Sequence, residues 1–360
     1  MHSRSTRDER TILGSTTPLG VAVTPKLPNK YLLFLGDVND PGYAKTAFGL
    51  RDWAPNRCVG EFGVNGLSVS TGLPRLTAAE AYARGAEAAV IGVATVGGRI
   101  AASWLPALAG AMEAGLDLVS GMHTPLASVP ELVSTAARCG RQLIDVRRPP
   151  AQIQVATGRK RSGKRLLAVG TDCALGKKYT ALAIAQAFRE HGADATFRAT
   201  GQTGILIAGS GIPIDAVVSD FVAGAAELLT PDASPEHWDI IEGQGSLFHP
   251  AYAAVSLGLL HGSQPDVIVV CHTVGRETML GFPAFPLPTL RDTVDLNLRL
   301  ARRVNPSVRC GGISLNTAAL SADDAQTAVQ RMALDLGLAV ADPIRGGTAF
   351  NALVNACLHQ

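Results

Sequence analysis

A buried strand, a glycine-bounded turn and a helix follow one another between residues 166 and 190, and this succession constrains the fold more than any other stretch. The strand is the apolar run LLAV (166–169), the turn is GTDCALGK (170–177), and the helix begins at Lys177. Such a strand–loop–helix unit directs successive backbone N–H groups towards a phosphate. The sequence therefore predicts an α/β domain that carries a phosphate-binding loop, or P-loop.

The loop differs from the commonest P-loop at two points. Five residues separate its two glycines, one more than usual, and Lys178 occupies the position at which nucleotide hydrolases carry a magnesium-binding Ser or Thr. Thr180 keeps a hydroxyl nearby, but one turn further into the helix. The loop therefore retains a phosphate-binding backbone but lacks the usual magnesium ligand.

Strands and helices alternate along the first half of the chain, which is typical of a parallel sheet with right-handed crossovers. A capping box at Thr77 and Glu80 opens one of the helices. No strand precedes a GxGxxG fingerprint, so we predict a Rossmann-like domain that binds no dinucleotide. The predicted strands lie within 31–37, 57–63, 88–98, 116–123 and 141–147.

The second half alternates in the same way, and Pro149-Pro150 separates the two. We predict two α/β domains, an N-terminal Rossmann-like parallel sheet at 1–155 and a P-loop domain at 156–360. Five basic residues within 159–165 are expected to form a solvated linker. The predicted strands of the second half are 166–169, 195–199, 238–241, 266–271, 311–315 and 338–341.

Composition excludes several classes of protein. The formal net charge of +2 is too small to indicate a nucleic-acid partner, and no apolar run approaches the ~20 residues of a membrane span. The N-terminal MHSRSTRDER lacks the apolar core of a signal peptide. Six scattered cysteines without CxxC spacing favour neither disulfides nor zinc. We therefore expect a cytoplasmic protein with small-molecule substrates.

Polar residues follow several predicted strands, at the sheet edge where α/β proteins bind ligands. Glu242 ends the strand of IIEGQGSL (240–247), Arg198 begins RATGQTG (198–204), and His272 and Arg276 lie in CHTVGRETML (271–280). An arginine can bind a carboxylate or a phosphate through two hydrogen bonds. Each residue also has a structural interpretation: a polar strand end for Glu242, a surface loop for Arg198, and a structural hydrogen-bond donor for His272.

The motifs resemble known families. The loop and the strand end at Glu242 resemble the GTDxxxGK and VEGAGG segments of dethiobiotin synthetase. Asn316 resembles the asparagine with which that enzyme reads the nucleotide base. Asn316 could equally cap a helix. The longer segments look like the DgcN-type D-glutamate N-acetyltransferase family, from about residue 30 onwards. They are GTDCALGKKYTAL, ATGQTGILIAGSGIPIDAVVSDFVAGAAE, EGQGSLFHPAY and HTVGRETMLGFP.

This resemblance implies a Rossmann-like and a P-loop domain, and acetyl transfer from acetyl-CoA to the amine of D-glutamate. Coenzyme A is bound but not hydrolysed, so Lys178 could neutralise phosphate directly and no metal would be required. Cys173 could in principle carry an acyl group, although a small residue in a tight loop is the simpler interpretation. The expected cofactor-binding residues are Gly170, Thr171, Asp172, Cys173, Gly176, Lys177, Lys178 and Asn316.

Acetyl transfer needs a base, cations for two carboxylates, and N–H donors for the oxyanion. Candidates for the base are Asp220, Glu242 and His272; Asp220 lies in the apolar stretch AVVSDFVAGAA, where we expect burial and a raised pKa. The expected substrate-binding residues are Arg198, Gly201, Gln202, Thr203, Gln244, Ser246 and Arg276.

Two other functions remain open at this point. The resemblance to dethiobiotin synthetase favours an ATP-dependent ligase or kinase, against which Lys178 argues. The absence of a decisive catalytic cluster favours a non-catalytic nucleotide- or CoA-binding regulator. We further expect a homo-oligomer, with a dimer favoured.

Overall fold

The computed structural model describes residues 26–64, 66–94 and 96–359. The expectation that MHSRSTRDER is no signal peptide therefore lies outside the described residues. Within them, no helix has both the length and the apolarity needed to cross a bilayer.

The first half forms a five-stranded parallel sheet in the order β2-β1-β3-β4-β5. Its strands are short, and most of their residues are apolar because helices cover the sheet. The capping box predicted at Thr77 and Glu80 opens α2. The elements are β1 (Tyr31–Phe34), α1 (Lys45–Trp53), β2 (Cys58–Phe62), α2 (Ala78–Ala83), β3 (Ala88–Ile91), α3 (Leu105–Glu113), β4 (Asp117–Ser120), α4 (Pro130–Cys139) and β5 (Leu143–Asp145).

The second half forms a six-stranded parallel sheet in the order β13-β12-β9-β6-β8-β7, with the P-loop strand β6 inside it. The first of its elements are β6 (Lys164–Gly170), α5 (Lys177–Glu190), β7 (Ala195–Arg198), α6 (Gln202–Ala208), α7 (Val222–Leu229), β8 (Trp238–Ile241) and α8 (Ala253–Ser263). The others are β9 (Val267–Thr273), β10 (Thr278–Met279), β11 (Phe282–Pro286), α9 (Leu290–Ala301), β12 (Arg309–Asn316), α10 (Ala322–Leu336), β13 (Val340–Ala341) and α11 (Gly347–His359).

The α/β class and all the predicted strands are confirmed. The antiparallel hairpin of β10 and β11 was not predicted, because two prolines interrupt the FPAFP strand and hide its alternation. The hairpin follows the loop that carries Arg276 and lies beside the P-loop.

Helix α6 belongs to the second half by sequence but completes the hydrophobic core of the first. Ile205 and Leu206 are fully buried in the cluster formed around β1 and β3, and Ala199 joins them. Arg57 of the first half also donates a hydrogen bond to the carbonyl of Leu206 (2.8 Å). The two halves therefore share a packed seam, and the division at 155/156 stays a prediction.

Only part of the basic run is the solvated linker that its charge suggests. Arg159 and Lys160 are exposed, whereas Arg161 and Arg165 are buried. Arg161 is 6% exposed, and its guanidinium donates to the carbonyls of Thr230 and Gly262. Arg165 is fully buried and donates to the carbonyl of Ser162. The prediction was wrong for these two residues because backbone carbonyls, from distant turns and from the run itself, satisfy their planar donors inside the protein.

Candidate active site

One large cavity, of about 790 Å³, lies along the carboxyl edge of the second sheet and is closed on one side by α1 of the first half. This is the edge at which parallel α/β sheets bind ligands. Segments from both halves line it: 45–48 of α1, 173–180 of the P-loop, 201–203, 242–245, 314–318 and 342–345.

The P-loop forms the floor of the cavity and opens directly into α5. Gly176 adopts a φ of +105°, which only glycine tolerates readily, and the helix begins at Lys177 as predicted. Lys177 is 7% exposed and donates to the carbonyl of Asp172 (2.6 Å), so it is held over its own loop. Burial lowers the pKa of this lysine. The geometry suits a bound anion, whose charge would offset the cost of burying the ammonium.

A buried ion pair fixes the P-loop to the loop before β10. Arg276 contacts the Asp172 carboxylate (3.0 Å) and donates to the carbonyl of Cys173 (2.8 Å), while the N–H of Leu280 donates to the same carboxylate. Asp172 is fully buried, so the pair holds a charge that would otherwise be costly to bury. The guanidinium predicted to bind a substrate carboxylate is therefore already occupied within the protein.

Lys178 points away from the loop and reaches α1 of the first half. A Cβ built on Gly49 would lie 2.8 Å from its Nζ, and the ammonium lies 5.1 Å from the centre of the Tyr179 ring. Burial lowers the pKa of Lys178 to about 8, although Glu242 and Asp52 attract its charge. The next residue continues the contact, because the Tyr179 hydroxyl donates to Asp52 (2.8 Å).

Glu242 follows β8 and is 6% exposed at the side of the cavity. Its Oε2 accepts hydrogen bonds from the N–H groups of Thr200 (3.0 Å) and Gly201 (3.1 Å). Burial raises the pKa of Glu242, while Lys178 and these two donors oppose the shift. A carboxylate with a raised pKa in a ligand cavity is a candidate for proton transfer.

Three predicted residues lie elsewhere. Asp220 is exposed, in a short 3-10 turn before α7, so its predicted burial is wrong; the buried apolar stretch begins only at Val222. Arg198 pairs with the buried Asp239 (2.5 Å) and does not line the cavity. His272 lies behind the P-loop, where its Nδ1 and the Thr171 hydroxyl are 3.0 Å apart; burial and then Arg276 lower its pKa.

Of the other predicted ligand-binding residues, some line the cavity and some do not. Asn316 lines the cavity, and its Oδ1 also accepts from the N–H of Ala318 in the turn after β12. It does not cap the next helix, because Ser321 is the N-cap of α10. Of the predicted ligands, the cavity is also lined by Cys173, Gly176, Lys177, Lys178, Gly201, Gln202, Thr203 and Gln244. Gly170, Thr171, Asp172 and Ser246 do not line it.

Three potential metal ligands meet beside the P-loop, which the sequence spacing did not reveal. One donor atom each from Asp172, Cys173 and His249 lies within 4.8 Å of the others. The Nδ1 of His249 accepts from the N–H of Ala251 (3.1 Å), so the neutral ring carries its proton on Nε2, which is 3.7 Å from Asp172. That proton and the neighbouring Arg276 disfavour a cation. Burial also raises the pKa of Cys173, which keeps it a thiol at neutral pH.

Residues of α1 were missing from the predicted site. Lys45, Thr46 and Phe48 of α1 line the cavity, and the Thr46 hydroxyl lies 2.9 Å from that of Thr203 in a buried contact across the seam. These side chains could not be found from the strand-end rule, because they project from a helix of the other sheet.

Comparison with known proteins gives one family for both halves of the chain. Residues 61–149 match the Rossmann-like domain of DUF1611_N, and residues 154–353 match the P-loop domain of DUF1611_C, both described as domains of unknown function. The crystal structure of a DUF1611 family protein from Anabaena variabilis is similar with a TM-score of 0.81 and 32% sequence identity, covering 92% of this chain and 99% of that one.

Two relatives carry a named activity. A protein of a Pseudoalteromonas species is 47% identical over 327 residues, which cover 91% of this chain and 98% of the relative. A protein of Tritonibacter scottomollicae is 48% identical over 317 residues, which cover 88% and 95%. Both relatives are named D-glutamate N-acetyltransferase.

Proposed function

This chain belongs to the DUF1611 family, and we infer that it catalyses the reaction after which its two relatives are named, the N-acetylation of D-glutamate. The observation that carries this inference is the 47–48% identity to those relatives over about nine-tenths of the chain. The cavity supports it chemically, since a phosphate-binding loop and a buried carboxylate open into the same space.

We propose acetyl-CoA as the donor, with its phosphates at the P-loop. Residues 174–177 offer N–H groups at the start of α5, together with the ammonium of Lys177. From β13 to β7 the edge spans five strand spacings, roughly 24 Å, which is long enough for an extended nucleotide thioester. Asn316 and the segment 342–345 lie at the β13 end, where the adenosine would extend.

Glu242 is the proposed base. The substrate ammonium must lose a proton before its nitrogen attacks the thioester carbon, and Glu242 accepts that proton. The carbon–sulfur bond then breaks, and the second proton released by the nitrogen passes to the sulfur, giving the free thiol. The N–H groups of Gln244 and Gly245 donate to no other described residue and border the cavity, and we propose them as the donors to the oxyanion.

The proposed reaction uses no divalent metal, because Lys178 replaces the magnesium-binding hydroxyl and the transfer breaks no phosphate bond. Turnover is therefore expected to continue in EDTA. Complete loss of activity in EDTA, restored by Mg²⁺, would instead favour the ATP-dependent ligase or kinase. We also propose that the protein is cytoplasmic and forms a homo-oligomer, with a dimer favoured. Light scattering of the purified protein tests the oligomeric state.

The decisive experiment follows thiol release from acetyl-CoA in the presence of D-glutamate. We expect turnover by the parent and a kcat lowered about 10²-fold or more in Glu242→Gln, the usual loss for a general base, with acetyl-CoA binding retained. The acidic limb of the pH–rate profile should disappear in this variant. Glu236→Gln, a substitution at an exposed carboxylate, is the matched control. Parental kcat in Glu242→Gln excludes the proposed base, and ADP formation without thiol release excludes the transferase.

A further inference from the structure

Two ammonium groups, one from each half of the chain, face the same end of the cavity. Lys45 begins α1 and Lys178 lies in the first turn of α5, and both line the cavity wall. Neither ammonium forms an ion pair or a hydrogen bond with another described residue. Burial lowers the pKa of Lys178; attraction by Glu242 and then by Asp52 opposes the shift, and a smaller repulsion from Lys45 adds to it. Two neighbouring ammonium groups that line a cavity without a direct ion-pair partner are a site for an anion.

A glycine in α1 provides the space that Lys178 occupies. A Cβ at Gly49 would lie 2.8 Å from the Lys178 Nζ and 2.7 Å from the Cγ2 of Thr203. Gly49 is buried in the middle of a helix, where glycine is unfavourable by about 0.5–1 kcal/mol relative to alanine. The small residue therefore costs stability but allows the ammonium to reach the seam.

The position of the two lysines points to the acceptor. Among the charges around Lys178, Glu242 attracts its ammonium most strongly. Glu242 lies on the β8 side of the P-loop, whereas Asn316 and Arg345 lie on the β12 and β13 side. Phosphates held by the N–H groups of the P-loop and by Lys177 would leave the β8 side of the cavity, where Glu242 and Lys178 lie, free for the acceptor. Arg198 and Arg276 are already paired with Asp239 and Asp172, so they leave the carboxylates of an acceptor without a guanidinium.

We propose that Lys45 and Lys178 form the carboxylate-binding subsite for the amino-acid acceptor, an inference that rests on the proposed acetyltransferase function. Lys178 binds the α-carboxylate, next to the amine that Glu242 deprotonates. Lys45 binds the side-chain carboxylate and thereby selects a dicarboxylic amino acid. The N-terminal half thus contributes specificity to a reaction whose donor site lies in the C-terminal half.

The test compares D-glutamate with its neutral isostere D-glutamine as acceptors. For Lys45→Gln we expect kcat/KM for D-glutamate to fall about tenfold or more, the loss of one charge-assisted hydrogen bond, while the value for D-glutamine changes little. Lys178→Gln should lower kcat/KM for both acceptors. Both variants should keep the KM for acetyl-CoA. Lys164→Gln, at the opposite end of β6, is the charge-matched control.

Gly49→Ala tests the geometry without removing a charge, and should raise the KM for D-glutamate. Gly110→Ala is its control, because a Cβ at this helical glycine meets nothing within 4 Å. A raised KM for acetyl-CoA with unchanged acceptor kinetics would assign the lysines to donor phosphates and overturn the proposal. An unchanged preference for D-glutamate over D-glutamine in Lys45→Gln would also overturn it. If the parent turns over neither acceptor, the acetyltransferase function itself fails.

Discussion

Replacing Lys178 with methionine should stabilise the protein, and the gain should shrink as the pH rises. The pKa of Lys178 falls from its ordinary 10.5 to about 8 because the side chain is buried at the seam. A lysine whose pKa is lower in the folded state destabilises the fold wherever it is charged in both states. That penalty is complete below pH 8 and vanishes as the pH rises through 10.5.

The magnitude follows from the two pKa values. Their difference of about 2.5, at about 1.36 kcal/mol for each pH unit, gives a penalty of roughly 3 kcal/mol at pH 7. The same relation gives roughly 2 kcal/mol at pH 9 and about 1 kcal/mol at pH 10. Because Lys178 keeps part of its surface in water, these values are upper limits. Methionine has a similar length and fills the space without a charge.

The assay is thermal unfolding of the parent and Lys178→Met between pH 7 and pH 10. An entropy of about 2.1 cal/mol/K per residue over 360 residues converts roughly 3 kcal/mol into a rise in Tm of about 4 °C at pH 7. Lys164→Met, at a side chain that is 40% exposed, should show no such pH trend. A Tm for Lys178→Met equal to or below the parental Tm at pH 7 would refute the reasoning, as would a gain that does not change with pH.

Three further predictions follow from the contacts. Arg276→Ala removes the cation paired with the buried Asp172, so it should lower the free energy of unfolding by about 3–5 kcal/mol and weaken acetyl-CoA binding. Parental values in urea unfolding and in calorimetric titration with acetyl-CoA would contradict this prediction. Gly204→Ala places a Cβ against the Oε2 of Glu242 and should lower kcat, whereas an unchanged kcat would show that the carboxylate can move without cost. Asp220→Asn should leave kcat unchanged, because this carboxylate is exposed outside the cavity; a large loss would restore Asp220 as the candidate base.

The sequence predicted the sheets and the loop well because both depend on local signals. Apolar runs bounded by glycine define the strands, and the spacing of Gly170, Gly176 and Lys177 defines the turn before α5. Glu242 and Asn316 lie in the cavity because they follow strands of the same parallel sheet. Position along one sheet edge is therefore readable from the order of strands and turns.

The sequence did not show which charged side chains are free to bind a ligand and which are already paired within the protein. Arg198 and Arg276 follow strands just as Glu242 does, but their partners Asp239 and Asp172 lie 41 and 104 residues away. No local pattern shows which arginine is already paired. Lys45 was missed for a different reason, since it faces the cavity only because α1 packs against α6 and the start of α5. Asp220 was misplaced because burial in its stretch begins two residues later.

The position of α6 has a consequence for synthesis of the protein. A ribosome completes every strand of the first sheet with residue 145, yet Ile205 and Leu206, which fill its core, are about sixty residues further along the chain. Until they emerge, the core of the first sheet lacks these two apolar side chains, and the surface against which they pack is exposed. The first sheet can thus reach its final stability only after the P-loop strand has been made, so the two halves mature together rather than in turn.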